Sequence, residues 1–250
     1  MAEWLNADEA SNYLGISSSS LYSMAQQARV PGHKLGKMWR FNKSDLDAWI
    51  RASKPINEFF MSAEAFIRGN DLLRDPQKEG HDAALNFFES GGRKAIMQLP
   101  VGCGKSGLIS MLPFGISKGR VLVIAPNLTI RSELQKALDI TNKRACFWHK
   151  CKVLALEVMS AGPYIAVLDG KDANVHDCDR SHIVVTNIQQ LASSADRWLP
   201  QFPDDYFDMI LVDEGHHSAA PSWMKVFEKF PNAKVVNLTA TPFRSDKKNI

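Results

Sequence analysis

Residues 99–106 read LPVGCGKS, and no other part of the chain restricts its architecture as strongly. A short apolar run, residues 95–99, leads into the glycines, and a stretch of helical character follows the serine. A strand, a glycine-containing loop, a Lys-Ser pair and a helix in this order are typical of a loop that holds nucleotide phosphates. The glycines let backbone N–H groups converge on phosphate oxygens, and the helix N-terminus adds its positive end. The sequence therefore predicts a phosphate-binding loop (P-loop).

The residues of this loop have different expected roles. Gly102 and Gly104 would allow the backbone to wrap the phosphates. Lys105 would bridge the β- and γ-phosphates, and the Ser106 hydroxyl would ligate Mg²⁺. The general pattern starts with a glycine where this chain has Leu99, and this departure argues against a GTPase.

The overall composition is that of an ordinary globular chain. Its 250 residues are 45% hydrophobic and 23% charged, which excludes wholesale disorder. No apolar run reaches the roughly 18 residues of a membrane-spanning helix, and the N-terminus does not read as a secretory signal. Four cysteines predict no disulfide scaffold, so we expect a cytoplasmic protein. The net charge of +3 neither requires nor excludes nucleic acid.

Short, β-branched apolar runs alternate with helical stretches after Leu72. Runs of this kind, buried on both faces, indicate a parallel sheet flanked by helices. They span residues 95–99, 121–125, 183–186, 209–212 and 235–238. The predicted fold class of this part is α/β, with ligands bound at the carboxyl edge of the sheet.

Two acidic residues directly follow the run 209–212. At the carboxyl edge of a parallel sheet they would lie beside the P-loop. Asp213 would hold Mg²⁺, and Glu214 would position and deprotonate an attacking water. His216, two residues further on, is the candidate link between the nucleotide and the rest of the protein.

Hydroxyl residues follow the last apolar run, residues 235–238. Thr239 and Thr241 could hydrogen-bond the histidine or the carboxylates and so report whether a γ-phosphate is present. We expect them to couple the nucleotide to the rest of the protein.

The three motifs, in this order, closely resemble the first RecA-like domain of a DEAD/DEAH-type superfamily 2 helicase, from about residue 72 to residue 244. The resemblance implies a RecA-like P-loop NTPase that binds ATP with Mg²⁺ and hydrolyses ATP. In this family Pro100 would precede a shortened glycine loop. Val101, where the family usually has Thr, and Cys103, where a small residue is usual, depart from the common form and could tune nucleotide affinity.

The resemblance also implies sites for the base and for a nucleic-acid strand. Gln77 stands where the family has its adenine-reading glutamine, with Arg74 as its neighbour. Residues 125–127 resemble motif Ia and residues 185–187 resemble motif Ib, which in the family grip the phosphates of one strand. The positions expected on the strand are Asn127, Arg131, Thr186 and Gln189.

The first 53 residues read as a separate small unit. Asn6 and Glu9 predict a capped helix that stops at Gly15, and Ser17 predicts the start of a second helix. Two helices joined by a tight turn form a helix-turn-helix motif.

A hairpin over residues 33–41, with Gly36 at its turn, and a last helix after Asn42 complete this unit. The arrangement resembles the excisionase/MerR-like helix-turn-helix domain over most of residues 3–50. The resemblance implies DNA binding, with the second helix in the major groove and the hairpin as a wing on phosphates. The positions expected on DNA are Ser19, Tyr22, Lys34, Lys37 and Arg40.

A second interpretation of this unit stays open. Residues 1–55 carry seven Lys and Arg against five Asp and Glu, and the serine-rich second helix has no Arg or Asn placed for bidentate base readout. An accessory domain for protein contacts is therefore the alternative.

The predicted organisation is an excisionase-like winged helix-turn-helix domain (1–53), a helical connector (54–70) and a first RecA-like domain (71–250). We expect the second RecA-like domain, whose arginine finger is worth about 10³ to 10⁵ in rate, to be absent from these residues, and hydrolysis by them to be very slow. The expected activity is that of a nucleic-acid helicase or translocase acting on DNA rather than RNA. A double-strand DNA translocase of the restriction or remodelling type and a DNA-binding regulator with a nucleotide-sensing domain are the alternatives.

The cysteine residues and the aromatic residues of the middle region each allow two interpretations. Cys146, Cys151 and Cys178 lie near histidines, but they lack the Cys-x₂-Cys spacing that structural zinc favours. Free thiols are the favoured interpretation, and zinc stays open. Phe147 and Trp148 lie among basic residues, and a packed helix is favoured over base stacking.

Overall fold

The computed structural model describes residues 3–52, 58–169, 175–193, 198–214 and 221–240. Its helices are α1 (Ala7–Leu14), α2 (Ser18–Gln26), α3 (Lys43–Ala52), α4 (Phe59–Ser62), α5 (Asp75–Glu89), α6 (Lys105–Met111), α7 (Leu128–Leu138), α8 (Phe147–Lys150), α9 (Leu156–Ala161), α10 (Ile188–Ser193) and α11 (Pro221–Lys229). Its strands are β1 (Trp4–Leu5), β2 (His33–Leu35), β3 (Met38–Asn42), β4 (Lys94–Gln98), β5 (Val121–Ala125), β6 (Ile165–Val167), β7 (Ile183–Asn187), β8 (Met209–Asp213) and β9 (Lys234–Thr239). Short 3₁₀ helices span Val175–Cys178 and Leu199–Gln201.

Six strands form one parallel sheet in the order β4-β9-β8-β5-β7-β6. The predicted α/β fold with a parallel sheet and flanking helices is confirmed. β6 lay outside the predicted runs, because three residues are too few to show a periodicity. It pairs with β7 at the edge of the sheet.

The central strands β5, β7 and β8 are buried along their whole length. Successive residues of β5 face two different cores. Val121 and Val123 pack in the core that contains α6 residues, and Leu122 and Ile124 pack in the core that contains α11 residues. Burial on both faces explains why these strands read as continuous apolar runs rather than as alternating patterns.

Local capping sets the helices of the N-terminal unit. The Asn6 side chain accepts from the Glu9 backbone N–H at 2.9 Å, and the Glu9 carboxylate accepts from the Asn6 N–H at 2.8 Å. α1 then ends at Gly15, whose φ of 67° is left-handed. Ser17 caps α2 by accepting from the Ser20 N–H at 3.2 Å. The predicted capping box and second helix start are both present.

The wing is the predicted hairpin of β2 and β3. Leu35 pairs with Met38, so Gly36 and Lys37 form a two-residue turn, and Gly36 has the positive φ that such a turn requires. β1 adds a third strand that pairs with β3. A strand of two residues is too short to show an alternation of apolar and polar residues, so the sequence analysis did not predict it.

Asn70 anchors the segment that leads into α5. Its side chain is 1% exposed and donates to the carbonyl oxygens of Phe66 (2.8 Å) and Cys151 (2.9 Å). Its Oδ1 accepts from the Leu72 N–H at 2.9 Å. Three backbone groups therefore depend on one buried side chain.

Asn70→Ala is expected to lower the free energy of unfolding by about 2–4 kcal/mol, because it removes three hydrogen bonds to partly buried backbone groups. Urea-induced unfolding followed by circular dichroism measures the change. Asn86→Ala, at an exposed position of α5, is the matched control and should change it by less than about 0.5 kcal/mol. Equal effects of the two substitutions would contradict this role for Asn70.

Candidate functional site

The P-loop lies at the carboxyl edge of the sheet, directly after β4. Gly102 (φ 88°) and Gly104 (φ 87°) both have left-handed backbone, which glycine adopts without steric cost. α6 begins at Lys105, so its N-terminus faces the loop. Ser106 in the first turn is exposed, which leaves this residue accessible beside the loop.

Lys105 and Glu214 are 109 residues apart in sequence and form an ion pair at this edge. Both side chains are largely shielded from solvent, with 15% and 23% of their surface exposed. Glu214 has a left-handed φ of 55°, and its backbone N–H donates to the Asp213 carboxylate at 3.1 Å. The structure thus brings Lys105, Asp213 and Glu214 together.

Asp213 is the last residue of β8 and is 5% exposed. Burial raises the pKa of its carboxyl, and the nearby Lys105 ammonium opposes that rise. The Lys105 charge thus favours the ionised form of the Asp213 carboxyl, and this is the form that can bind a cation.

Thr239 lies between β4, which leads into the P-loop, and β8, which ends in Asp213. It is the last residue of β9, which lies between β4 and β8, and it is fully buried. Its carbonyl oxygen accepts from the Leu99 N–H at 3.0 Å. The coupling positions His216 and Thr241 lie outside the described residues.

The Gln77 side chain supports the P-loop through hydrogen bonds. Its side chain is 3% exposed, its Nε2 donates to the Gly104 carbonyl at 2.9 Å, and its Oε1 accepts from the Arg74 N–H at 3.0 Å. The Arg74 guanidinium contacts the Gly102 carbonyl. Both predicted base-site residues therefore lie against the loop, and both hold its backbone.

Gly107 is a feature of this site that the sequence analysis did not single out. A Cβ atom on Gly107 would lie 2.3 Å from Nε2 of Gln77 and 2.4 Å from Cε2 of Phe147. Phe147, in α8, thus packs beside Gln77 behind the P-loop helix. A glycine early in a helix is the sole sequence indication of this close approach. Trp148 next to it is fully buried and donates to the Ser110 carbonyl at 2.9 Å, which confirms the packed-helix interpretation.

The residues expected on a nucleic-acid strand lie where β5 and β7 end. Asn127 caps α7 by accepting from the Ile130 N–H at 3.0 Å, and Gln189 donates to the Pro126 carbonyl at 2.9 Å. Arg131 is shielded, with 12% of its side chain exposed, and forms an ion pair with Asp169 at 2.6 Å.

Thr186 lies inside the sheet. It is fully buried, and its hydroxyl donates to the Leu168 carbonyl at 3.0 Å. The hydroxyl therefore fastens β7 to the residue that follows β6 and does not face outwards.

The helix-turn-helix residues expected on DNA lie mostly on the surface. Ser19, Tyr22, Lys34 and Lys37 are exposed, and Arg40 is half-buried. α2, which is the second helix of the helix-turn-helix motif, and the wing thus both present polar side chains to solvent.

All four cysteines are free thiols. Within the described ranges, no group of three or more His, Cys, Asp or Glu side chains could hold a metal ion. In the same ranges, no helix is long and apolar enough to cross a membrane.

A glycine loop and an acidic strand end at one edge of a parallel sheet define a P-loop nucleotide-binding domain. Residues 70–244 match the family described as "Type III restriction enzyme, res subunit", and the chain belongs to this family. Residues 4–54 match the family described as "Helix-turn-helix domain". The resemblance to helicases and to helix-turn-helix domains is therefore confirmed.

Two curated relatives are named ATP-dependent helicases. The putative mitochondrial ATP-dependent helicase irc3 of Schizosaccharomyces pombe is 25% identical over 184 residues, which cover 71% of this chain and 27% of that protein. The putative ATP-dependent helicase IRC3 of Saccharomyces cerevisiae is 26% identical over 191 residues, which cover 71% of this chain and 24% of that protein. The chain spans about a quarter of the length of these relatives.

Helicases are among the solved structures to which this chain is similar. The Hef helicase domain of Pyrococcus furiosus has a TM-score of 0.51 at 18% identity, and the match covers 72% of this chain and 36% of that chain. The UvsW helicase of bacteriophage T4 has a TM-score of 0.47 at 18% identity, with 82% and 62% covered. The likeness to Hef supports the RecA-like fold.

Gly107→Ala is expected to lower both stability and nucleotide affinity. In an open helix this change stabilises by about 0.5–1 kcal/mol, but here the methyl group would press on Gln77 and Phe147 and destabilise by about 1–3 kcal/mol. Thermal unfolding and titration with ATP measure the two effects. Adding Phe147→Ala should relieve part of the crowding, whereas a stabilised Gly107→Ala protein would contradict the packing described above.

Proposed function

We propose that this chain is the ATP-binding portion of an ATP-dependent nucleic-acid helicase or translocase that its helix-turn-helix unit directs to DNA. The observation that carries the proposal is the contact of Lys105 with Glu214 beside the P-loop. A lysine for phosphate oxygens and a carboxylate for water are the two groups that ATP hydrolysis requires at this loop. Membership of the restriction-subunit family and the names of the two curated relatives support the same activity.

The residues around the loop fit a nucleotide with Mg²⁺. Gly102 and Gly104 allow the backbone to bend around phosphate oxygens. The Ser106 hydroxyl and the Asp213 carboxylate would hold Mg²⁺, since both are the hard oxygen ligands that this cation prefers. When bound, Mg²⁺ supplies charge neutralisation at the β- and γ-phosphates.

The Lys105–Glu214 ion pair indicates the order in which the two side chains would act when a triphosphate binds. A triphosphate in the P-loop offers Lys105 more negative charge than one carboxylate does, so Lys105 exchanges Glu214 for the phosphates. Glu214 is then released to position a water and to accept its proton. Before nucleotide binds, the ion pair keeps this carboxylate occupied.

Base recognition would be linked to the shape of the P-loop through Gln77. One Nε2 hydrogen already bonds the Gly104 carbonyl, and Oε1 already accepts from the Arg74 N–H. Because this side chain is 3% exposed, an adenine edge would have to share or exchange these contacts. The same amide would therefore read the base and support the loop that holds the phosphates.

A single strand of nucleic acid would lie along the ends of β5 and β7. α7 and α10 both begin there, so backbone N–H groups of their first turns would lie near strand phosphates. Asn127 and Gln189 hold these two helix starts in place. Arg131 and Thr186 would shape the edge, because the Arg131 guanidinium forms an ion pair with Asp169 and the Thr186 hydroxyl donates to the Leu168 carbonyl.

The helix-turn-helix unit would bind duplex DNA through its exposed side chains. Ser19 and Tyr22 of α2 would meet the major groove, and Lys34 and Lys37 of the wing would meet phosphates. Four free thiols fit a reducing compartment, so we place this activity in the cytoplasm.

Two assays separate this function from its alternatives. Glu214 beside Lys105 argues against a pure nucleotide sensor, since a sensor gains nothing from a base that activates water. Unwinding of a forked duplex separates a helicase from a translocase that moves along double-stranded DNA. ATP hydrolysis without strand separation favours the translocase.

Lys105→Ala is expected to reduce ATP affinity at least about tenfold, because it removes the charge that meets the phosphates. Titration with a fluorescent ATP analogue measures this, and DNA binding by the helix-turn-helix unit should be unchanged. Lys229→Ala is the matched control, because Lys229 lies on α11 and pairs with Asp204. Equal ATP affinity of the Lys105 variant and the control would disprove the assigned nucleotide site.

Replacing both wing lysines, Lys34 and Lys37, with Ala is expected to weaken DNA binding uniformly across sequences. The slope of log affinity against log salt should fall by about two, one unit for each lost phosphate contact. Fluorescence anisotropy at several salt concentrations measures the slope. Lys43→Ala, off the wing in the same unit and paired with Glu3, should leave it unchanged. A slope that does not respond to the wing lysines would favour the protein-docking alternative.

A further inference from the structure

The helix-turn-helix unit is docked on the RecA-like domain through the start of α2. The backbone N–H and the hydroxyl of Ser17 donate to the two carboxylate oxygens of Asp177, at 2.9 and 2.8 Å. Asp177 lies in the 3₁₀ helix Val175–Cys178, which precedes β7 of the parallel sheet. One carboxylate thus holds both donors of the residue that caps the recognition helix.

A second set of contacts holds the unit from just beyond the end of α2. The Arg29 guanidinium lies 4.1 Å above the Tyr164 ring and donates to the Arg180 carbonyl at 3.2 Å. Arg180 in turn lies 3.7 Å above the Trp49 ring of α3. Burial lowers the pKa of Arg29 to about 10, which shows how far this contact is withdrawn from water. These contacts are independent of Asp177.

We infer that the start of α2 has two alternative partners, Asp177 of the same chain and a phosphate of DNA, so that docking on the RecA-like domain competes with DNA binding. The inference rests on the proposed role of this unit in binding DNA. In helix-turn-helix complexes the N-terminal end of the second helix enters the major groove, and backbone N–H and hydroxyl groups bind phosphates. Ser17 offers those donors, and Asp177 occupies both.

The Asp177 carboxylate of the docking segment, residues 175–182, makes the two partners exclusive. Asp177 is an anion at the positive end of α2, which is the place that suits a phosphate. A phosphate cannot use the Ser17 donors while Asp177 holds them, and the carboxylate repels it at short range. DNA that reaches the start of α2 must therefore displace the docking segment.

The rest of the recognition surface stays open in the docked arrangement. Ser19, Tyr22, Ser23 and Gln26 form an exposed face of α2, and the wing lysines are exposed as well. DNA can thus make initial contacts before the unit is released. The measured DNA affinity is then reduced by the fraction of molecules in which Asp177 occupies Ser17.

Two substitutions of opposite charge test the competition in the whole chain. Asp177→Ala removes a negative charge and Arg29→Ala removes a positive one, yet both remove a docking contact. Each is expected to tighten binding of a fluorescein-labelled DNA duplex about fivefold or more, which is the gain when the competent fraction rises from a minority to nearly all molecules. Asp204→Ala removes an acidic side chain whose ion-pair partner is Lys229 on α11, and it serves as the charge control.

The outcomes of this experiment are decisive. Tighter binding by both variants and little change with Asp204→Ala support the inference. Tighter binding by Asp177→Ala with weaker binding by Arg29→Ala reports net charge alone and overturns it, and so does unchanged affinity of both variants. Circular dichroism melting shows that each variant is folded. Asp177→Asn keeps an acceptor for Ser17 without the charge, so it should gain less than Asp177→Ala.

The wing lysines distinguish a failure of this inference from a failure of the proposed function. Lys34→Ala with Lys37→Ala is added to the Asp177→Ala chain and to the native chain. If the lysines do not affect DNA affinity in either chain, the unit does not carry DNA binding, and the proposed function and the inference fall together. If the lysines matter but Asp177→Ala and Arg29→Ala gain nothing, the proposed function stands and the competition is overturned.

Discussion

The parallel register of β4, β9 and β8 is the constraint on which the nucleotide site depends. Strands that run the same way end at the same edge, so the loop after β4 and the carboxylate at the end of β8 meet there. β9 lies between them, which sets a gap of two strand spacings, about 10 Å. Lys105 and Glu214 span this gap with their side chains. A slip of one residue in either pairing would turn every side chain of a strand to the opposite face and break this meeting point.

Much of this arrangement could be predicted from the sequence because its causes are local. Central strands are buried on both faces and therefore read as unbroken apolar runs, and the capping box of Asn6 and Glu9 lies within one helical turn. β1 and β6 were not predicted, because strands of two or three residues are too short to show an apolar–polar alternation. The packing of Phe147 against Gly107 and the contact of Asp177 with Ser17 join residues that are distant in sequence, and nothing near either partner indicates the other.

The sequence predicted which residues form the site. It did not predict which side chains and backbone groups they contact in the structure. Lys105 was expected to meet phosphates, and the structure pairs it with Glu214, a second residue of the same site. Gln77 was expected to read a base, and the structure gives its amide to the Gly104 carbonyl. Both polar groups are largely shielded, so each needs a partner at all times. The site is consequently built of contacts that ligand binding would have to exchange rather than of free groups that wait for a ligand.

β7 connects the docking segment with the edge proposed for strand binding. Residues 175–182 lead into its start, and Thr186 lies near its end, three residues after Ile183 and about 10 Å from it. Arg120, just before β5, fastens this segment to the sheet, because its guanidinium donates to the carbonyl oxygens of Asp179 (2.9 Å) and Ser181 (3.0 Å). The surface that receives the helix-turn-helix unit is thus braced independently of that unit. Exchange of Asp177 for a DNA phosphate would therefore move the helix-turn-helix unit and leave β7 in place, so that the proposed DNA targeting and ATP chemistry would use opposite ends of the same sheet.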